Sequence, residues 1–212
     1  MSTALDPAGD ALQGGLVDMG LDLGSESIAR LLRYVELLTR WNRRFNLTGT
    51  RAPRQIVTRH LLDSLSVAPH LRGDRVLDVG TGAGLPGLVL AIALPQVQFT
   101  LLDSAGKKTR FCIQAAADLG LGNVTVVRER FEAFEPQQHF SCVVSRAFEG
   151  AVELLKPAQR LLQPGGLLLL MKGIYPQSEL EELAAAGFRA RAMPVAVPGL
   201  AAARHLLLVE AP

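Results

Sequence analysis

A chain of 212 residues, 49% hydrophobic and 20% charged, has the balance of one soluble globular domain with a small appendage, which excludes a disordered or fibrous class. The formal net charge of +2 gives no strong whole-chain field, so any nucleic-acid contact must come from local clustering. The longest clean apolar run, Leu88 to Leu94, is too short to span a bilayer, and the first residues, with Asp6 and Asp10, lack a basic-then-apolar signal pattern; a cytoplasmic protein with no membrane partner is expected.

Residues 1–24 are rich in Gly, Ala and Asp with weak periodicity and read as loosely ordered. Ile28, Leu31, Leu32, Val35, Leu38 and Trp41 recur at spacings of three and four, which predicts an amphipathic helix over 27–47, with Gly49 as its stop and Trp41 in the core. Pro53 opens a second helical stretch to about residue 69, with Ile56, His60, Leu61 and Leu65 on one face. From residue 75 strands and helices alternate. Strands are predicted at 75–79, 98–103, 123–127, 140–145 and 166–171, and helices at 87–94, 107–119, about 150–162 and 179–186. Two β-like runs, 188–195 and 203–210, leave no room for a crossover helix between them. The predicted fold is α/β: a mostly parallel sheet covered on both faces, an antiparallel C-terminal hairpin, and a helical N-terminal extension. The extension spans 1–70 and the main domain 71–212.

Cys112 and Cys142 fall in a helix and a strand with no CxxC or metal-like spacing, so two buried free thiols and no metal are expected. From Leu37 to Leu62 there is no acidic residue, yet Arg40, Arg43, Arg44, Arg51, Arg54 and Arg59 all occur. By itself this stretch suits either a solvated helix face or a phosphate-facing surface.

The most informative segment is Asp78-Val-Gly-Thr-Gly-Ala-Gly-Leu-Pro-Gly87, a glycine loop between the first strand and its helix. Ligands of an open α/β sheet bind outside the carboxyl ends of the strands, and Gly80, Gly82 and Gly84 remove side chains where the backbone must turn sharply beside a ligand. Gly82 to Gly87 formally matches the dinucleotide pattern G-x-G-x-x-G, whereas Asp78 to Gly84 matches the acid-x-Gly-x-Gly-x-Gly loop of S-adenosylmethionine enzymes, in register with the strand end. Asp103, at the end of the second strand, suits ribose hydroxyls under either reading, or capping of the following helix. Gln163-Pro-Gly-Gly166 before an apolar strand and the antiparallel ending favour the methyltransferase reading.

Several elements together resemble the glucose-inhibited division protein B family, the bacterial small-subunit ribosomal RNA guanine-N7 methyltransferases. They are Trp41-Asn-Arg-Arg-Phe-Asn-Leu-Thr-Gly49, Arg59-His-Leu-Leu-Asp-Ser-Leu65, the loop Asp78–Gly87, Ser145-Arg-Ala147 and Lys172-Gly173, in family order. The resemblance implies a class I methyltransferase fold, S-adenosylmethionine as cofactor, and ribosomal RNA or the small ribosomal subunit as partner, with the protein a monomer. It implies that Gly80, Leu85, Asp103, Phe131, Glu132 and Arg146 bind the cofactor, to which the methyltransferase reading of the loop adds Asp78 and Gly82. Gly80 and Leu85 would line its methionine part, Phe131 and Glu132 would lie beside adenine, and Asp78 would meet the ammonium directly or through water.

The implied chemistry needs no general base, because guanine N7 has an in-plane lone pair and no proton to lose; positioning should dominate. After the fourth strand there is no Asn/Asp-Pro-Pro-aromatic motif of exocyclic-amine enzymes, and neither cysteine stands in a Pro-Cys loop. The resemblance puts Arg146 between cofactor and substrate, where it is expected to position the substrate through guanine O6 or a phosphate, with a structural salt bridge as the alternative. Arg43, Arg44, Arg51 and Lys172 are expected to meet RNA. His60 and Asp63 are expected to be a packed, hydrogen-bonded pair holding the extension on the core. The competing functions are a small-molecule methyltransferase, a nicotinamide-dependent oxidoreductase and a non-catalytic RNA-binding protein.

Overall fold

A computed structural model describes residues 6–146 and 150–211. Helix α1 (Asp6–Asp18) replaces the loose order expected over 1–24. Ala8, Leu12 and Leu16, four apart, form one fully buried stripe despite the surrounding polar residues. Gly15 on the same face packs directly on Leu62, where any side chain would collide. Residues 1–5 lie outside the described residues.

Helix α2 (Ser25–Phe45) is the predicted amphipathic helix, and Leu31, Tyr34, Val35, Leu37 and Leu38 are buried along it. It stops at Asn46, not at the expected Gly49: Asn46 adopts a left-handed conformation with φ 47°. Asn tolerates this conformation better than most side chains do. Asn42, one turn earlier, fixes the loop that follows. Its amide donates to the carbonyls of Thr48 (2.9 Å) and Thr50 (2.8 Å), and its Oδ1 accepts from the Thr48 N–H. Trp41 is half-buried and packs its ring against Phe45 and Phe111, consistent with a core role.

The second helical stretch begins at Pro53 as predicted, but it is not uniform. α3 (Pro53–Ile56) runs into a π-helical turn, Val57–Leu62, and then α4 (Asp63–Leu65). A wider turn of this kind occurs often at functional sites, and here it carries Arg59 and His60. A 3-10 turn, Ala68–His70, leads to the sheet.

The sheet is built from β1 (Arg75–Val79), β2 (Gln98–Leu102), β3 (Val124–Val127), β4 (Phe140–Ser145), β5 (Leu162–Lys172), β6 (Ala190–Pro194) and β7 (His205–Glu210). The strand order is β3-β2-β1-β4-β5-β7-β6. The first five strands pair in parallel, and β7 pairs antiparallel with both β5 and β6. Helices α5 (Gly87–Ala93), α6 (Gly106–Asp118), α7 (Ala151–Leu161) and α8 (Gln177–Ala185) make the connections. The expected turn at Gln163–Gly166 is a bulge inside β5: Phe140 pairs with Leu162, but Cys142 pairs with Leu167. Gly165, with φ 72°, supplies the left-handed step that this slip requires.

Side chains alternate between two cores. Val76, Phe99, Leu101, Cys142, Val144 and Leu169 face α1, α2, α5 and α6, so the N-terminal helices share one apolar cluster with that side of the sheet. Leu77, Val143, Leu168, Leu170 and Leu207 face α7 and α8. Strand order reverses between β1 and β4, which places the ligand crevice beyond the carboxyl ends of these two strands. Gly80, Asp103 and Arg146 each follow directly on a strand end, and Lys172 is the last residue of β5.

Candidate cofactor cleft and substrate pocket

The glycine loop is organised by a buried carboxylate. Asp78 is fully buried, and its Oδ2 accepts from the Thr81 hydroxyl (2.6 Å) and the Gly87 N–H (2.8 Å), drawing the two ends of the loop together. A side chain on Gly87 would strike Leu101 and the Asp78 carboxylate, so glycine is required there for close packing. Gly80, Gly82 and Gly84 all take positive φ, at 69°, 59° and 80°, where a Cβ is strained. Burial pushes the Asp78 carboxyl up to about 6, against the hydrogen bonds from Thr81 and Gly87 and the charge of Arg146, which lower it. Its Oδ1 is buried without a protein partner, a position that suits a donor such as the ammonium of an amino-acid ligand or a water between them.

Asp103 forms the opposite wall. Its Oδ2 accepts from the Gly82 N–H (3.0 Å) and lies 3.4 Å from Lys108 Nζ, and its Oδ1 accepts from the Ala105 N–H (2.9 Å) at the start of α6. It therefore fixes the turn that leads into α6 and braces the glycine loop at once, and Oδ1 keeps lone-pair capacity for a hydroxyl. Gly80, Asp103, Phe131 and Glu132 line one cleft of about 340 Å³. A cleft of this size with a carboxylate on one side and an apolar ring on the other fits a nucleoside cofactor. Leu85 is 1% exposed, its side chain packed in the core. Gly82 meets Asp103 through its backbone N–H.

Arg146 lies in a second cavity of about 380 Å³, shared with Arg59, His60, Asp63, Lys172 and Arg204. Its Nη1 is 3.3 Å from His60 Nδ1 and 3.8 Å from Asp63 Oδ2. An arginine can only donate, so His60 Nδ1 accepts and the proton sits on Nε2. Burial first, and the Arg146 charge second, lower the His60 pKa to about 4, which keeps the ring neutral at physiological pH. Asp63 also accepts from Arg204 Nε at 2.9 Å. Burial raises its pKa, opposed by the charges of Arg204 and Arg146. His60 and Asp63 thus do tie the extension to the core, each through an arginine, with no bond between them in the described contacts. Lys172, which lines the same cavity, places its Nζ 2.7 Å from Glu179 of α8. Ala147 of the Ser145-Arg-Ala147 element lies outside the described residues. Arg43, Arg44 and Arg51 are all exposed, on the end of α2 and the loop beyond it.

Three contributors were not singled out from the sequence. Tyr34 donates from its hydroxyl to the Ala83 carbonyl at 2.7 Å, fixing the glycine loop from α2. The Cys112 thiol lies 3.5 Å from the Gly82 carbonyl, and burial pushes its pKa far up, so it stays a neutral thiol. Arg204 reaches Asp63 across 141 residues of sequence. Both cysteines are free and buried, as expected. Among the described residues no His, Cys, Asp and Glu cluster has metal-binding geometry, and no helix is long and apolar enough to cross a membrane.

A family model described as rRNA small subunit methyltransferase G matches residues 27–207. The chain belongs to that family. It is 45% identical over 196 residues to ribosomal RNA small subunit methyltransferase G of Nitrosococcus oceani, covering 92% of each chain. It is 47% identical over 202 residues to the protein of the same name in Stenotrophomonas maltophilia, covering 95% of this chain and 94% of that one. Solved structures share the fold at low identity. The glycopeptide N-methyltransferase MtfA complexed with S-adenosylhomocysteine matches with a TM-score of 0.61 at 15% identity, over 72% of this chain and 87% of that one. A SAM-dependent methyltransferase from Aquifex aeolicus matches with a TM-score of 0.58 at 19% identity, over 74% and 93%. The fold is that of class I methyltransferases, and S-adenosylmethionine is the cofactor. Of the two readings of the glycine loop, the nicotinamide one is set aside.

Proposed function

We propose that this protein transfers a methyl group from S-adenosylmethionine to N7 of one guanine in small-subunit ribosomal RNA, acting in the cytoplasm as a monomer. The observation that carries the proposal is the adjacency of the two sites in a chain of this family. A nucleoside-sized cleft lies past β1 and β2, and a cationic cavity around Arg146 lies past β4 and β5.

S-adenosylmethionine supplies an electrophilic methyl on a sulfonium centre. The chain's own residues bind and orient. Asp78, holding the loop through Oδ2, leaves Oδ1 for the ammonium or a bridging water. Asp103 takes a ribose hydroxyl, while Phe131 and Glu132 flank adenine. Arg146 carries a forked donor suited to guanine O6 or to a phosphate, and His60 and Asp63 hold it in place. N7 attacks with its lone pair and no proton moves, so catalysis rests on alignment and on exclusion of water. His60 is held neutral with its Nδ1 engaged by Arg146, and Asp63 is paired with Arg146 and Arg204, so both serve to position the arginine. Arg43, Arg44, Arg51 and Lys172 meet RNA phosphates.

The test is to incubate labelled S-adenosylmethionine with small ribosomal subunits from a strain lacking this protein, then map the modified base. Label on N7 of a single guanine is expected. No label in RNA, or label on another base atom, overturns the proposal.

A further inference from the structure

A third cavity, of about 770 Å³, is neither of those two sites. It lies between α1, the α3 and π-helical segment, and the loop joining β6 to β7. One rim carries Asp10 and Asp18 from α1, and the other carries Arg54 and Arg59. All four are exposed, and among the described residues none of them forms a salt bridge. The walls between carry the small residues Ala11, Gly14, Gly199 and Ala201 beside the larger Gln55 and Leu200. Gly199 presses on Thr58, where a Cβ would come within 3.0 Å of the threonine methyl, so the loop is seated directly on the helix. Arg59 also lines the Arg146 cavity. The two cavities therefore share a guanidinium wall.

Resting on the function proposed above, we infer that this cleft is a second nucleotide pocket, which takes a nucleotide of the same RNA strand flanking the target guanine. The chemistry of the walls fits such a ligand at each end. Arg59 stands between the pockets, where the phosphate joining two splayed nucleotides must pass, and Arg54 reinforces the same rim. Floors of glycine and alanine let a flat base approach the backbone closely. Across the cleft, Asp10 and Asp18 present acceptors to the N–H donors of a base edge; left without a cation from the protein, they favour a ligand that brings its own donors. The volume lies in the range of small-ligand pockets. Single-stranded RNA is commonly recognised in this way, with unstacked bases placed in separate pockets. A free anion is disfavoured by the two carboxylates on the opposite rim.

Ala201 is exposed and lines this cleft but neither the cofactor cleft nor the Arg146 cavity, so it offers a place to fill the pocket. Ala201→Trp should leave cofactor affinity and thermal melting unchanged. With small subunits as substrate it should raise KM by about tenfold, the size of one well-buried contact, while kcat at saturation is retained. A photo-crosslinking phenylalanine in place of Ala201 gives an independent readout: the crosslink should fall within a few nucleotides of the methylated guanine. An unchanged KM for Ala201→Trp, or a crosslink only to ribosomal protein or to remote RNA, overturns the inference. Failure of the wild-type protein to methylate RNA in the same assay would instead overturn the function on which it rests.

Discussion

The phenol of Tyr34, midway along α2, donates a 2.7 Å hydrogen bond to the carbonyl of Ala83 inside the glycine loop. The ring is fully buried, and burial raises its pKa well above the ordinary tyrosine value, so it remains a donor. Helix α2 thus braces the glycine loop directly. Tyr34→Phe keeps the ring packing and leaves the Ala83 carbonyl buried without its donor. A stability loss of about 1–3 kcal/mol in urea unfolding and a weaker S-adenosylmethionine affinity by calorimetry are expected. Equal cofactor affinity in both proteins would mean that the loop is fixed without α2.

Asp63 faces both Arg146 and Arg204. Asp63→Asn removes the charge and keeps the shape, leaving two guanidiniums near a neutral amide. Stability should fall by about 1.5–3 kcal/mol, and methyl transfer should fall with cofactor affinity intact. Arg146→Lys should not restore transfer where Arg146→Ala loses it, since a lysine lacks the fork. Full activity of the lysine variant would show that only charge matters.

Two buried groups titrate with opposite consequences in overlapping windows. Asp78 rises from 3.8 to about 6, so between those values the folded protein holds a proton that the unfolded chain has lost. Its share of stability falls as pH rises through that window. His60 drops from 6.5 to about 4, so there the unfolded chain holds the extra proton and its share of stability rises with pH. Each slope approaches about 1.4 kcal/mol per pH unit inside its window. Measured against wild type, Asp78→Asn should lose less stability on raising the pH from 4 to 6. His60→Asn should lose less on lowering it from 6.5 to 4. Parallel stability curves for all three proteins would sink the argument.

The glycines differ in kind. At Gly82 a Cβ has room, its nearest neighbour being the Gly80 carbonyl at 3.9 Å, so Gly82→Ala should cost about 1–2 kcal/mol from its positive φ. At Gly87 a Cβ meets Leu101 and Asp78, and Gly87→Ala should cost about 1–3 kcal/mol and loosen the loop. Cofactor titration should therefore show the larger defect in Gly87→Ala. The reverse ranking would mean that contact of the ligand with Gly82 dominates.

Arg43 is exposed at the end of α2 and forms no salt bridge among the described residues. Arg43→Ala should spare cofactor binding, weaken RNA binding, and reduce the slope of log affinity against log salt by about one. An unchanged slope would make the arginine stretch a solvated face.

The alternation of strands and helices, the glycine loop and Asp103 were legible because each depends on local pattern: apolar runs of strand length, glycines at fixed spacing, an acid at a strand end. The helix at Asp6–Asp18 was missed because its buried stripe is only Ala8, Leu12 and Leu16 in a polar, glycine-containing segment. The π turn at Val57–Leu62 keeps the apolar spacing of an ordinary helix and leaves no separate mark. Tyr34 sits among core residues and its hydroxyl finds a partner 49 positions away. Arg204 finds its partner across 141 positions. No single-sequence pattern encodes such pairings, and the cavity between α1, the π turn and the β6–β7 loop is likewise assembled from three distant segments.

The place of β7 between β5 and β6 bears on how the protein is made. Residues 205–210 are the last strand in chain order, yet they carry hydrogen bonds on both edges and join Ala190–Pro194 to the rest of the sheet. During synthesis the parallel strands can assemble as they emerge, but the sheet closes only after residue 210 has left the exit tunnel. Until then β5 shows an unpaired apolar edge. The nascent chain therefore waits, incomplete, on a machine of the kind whose RNA it goes on to modify.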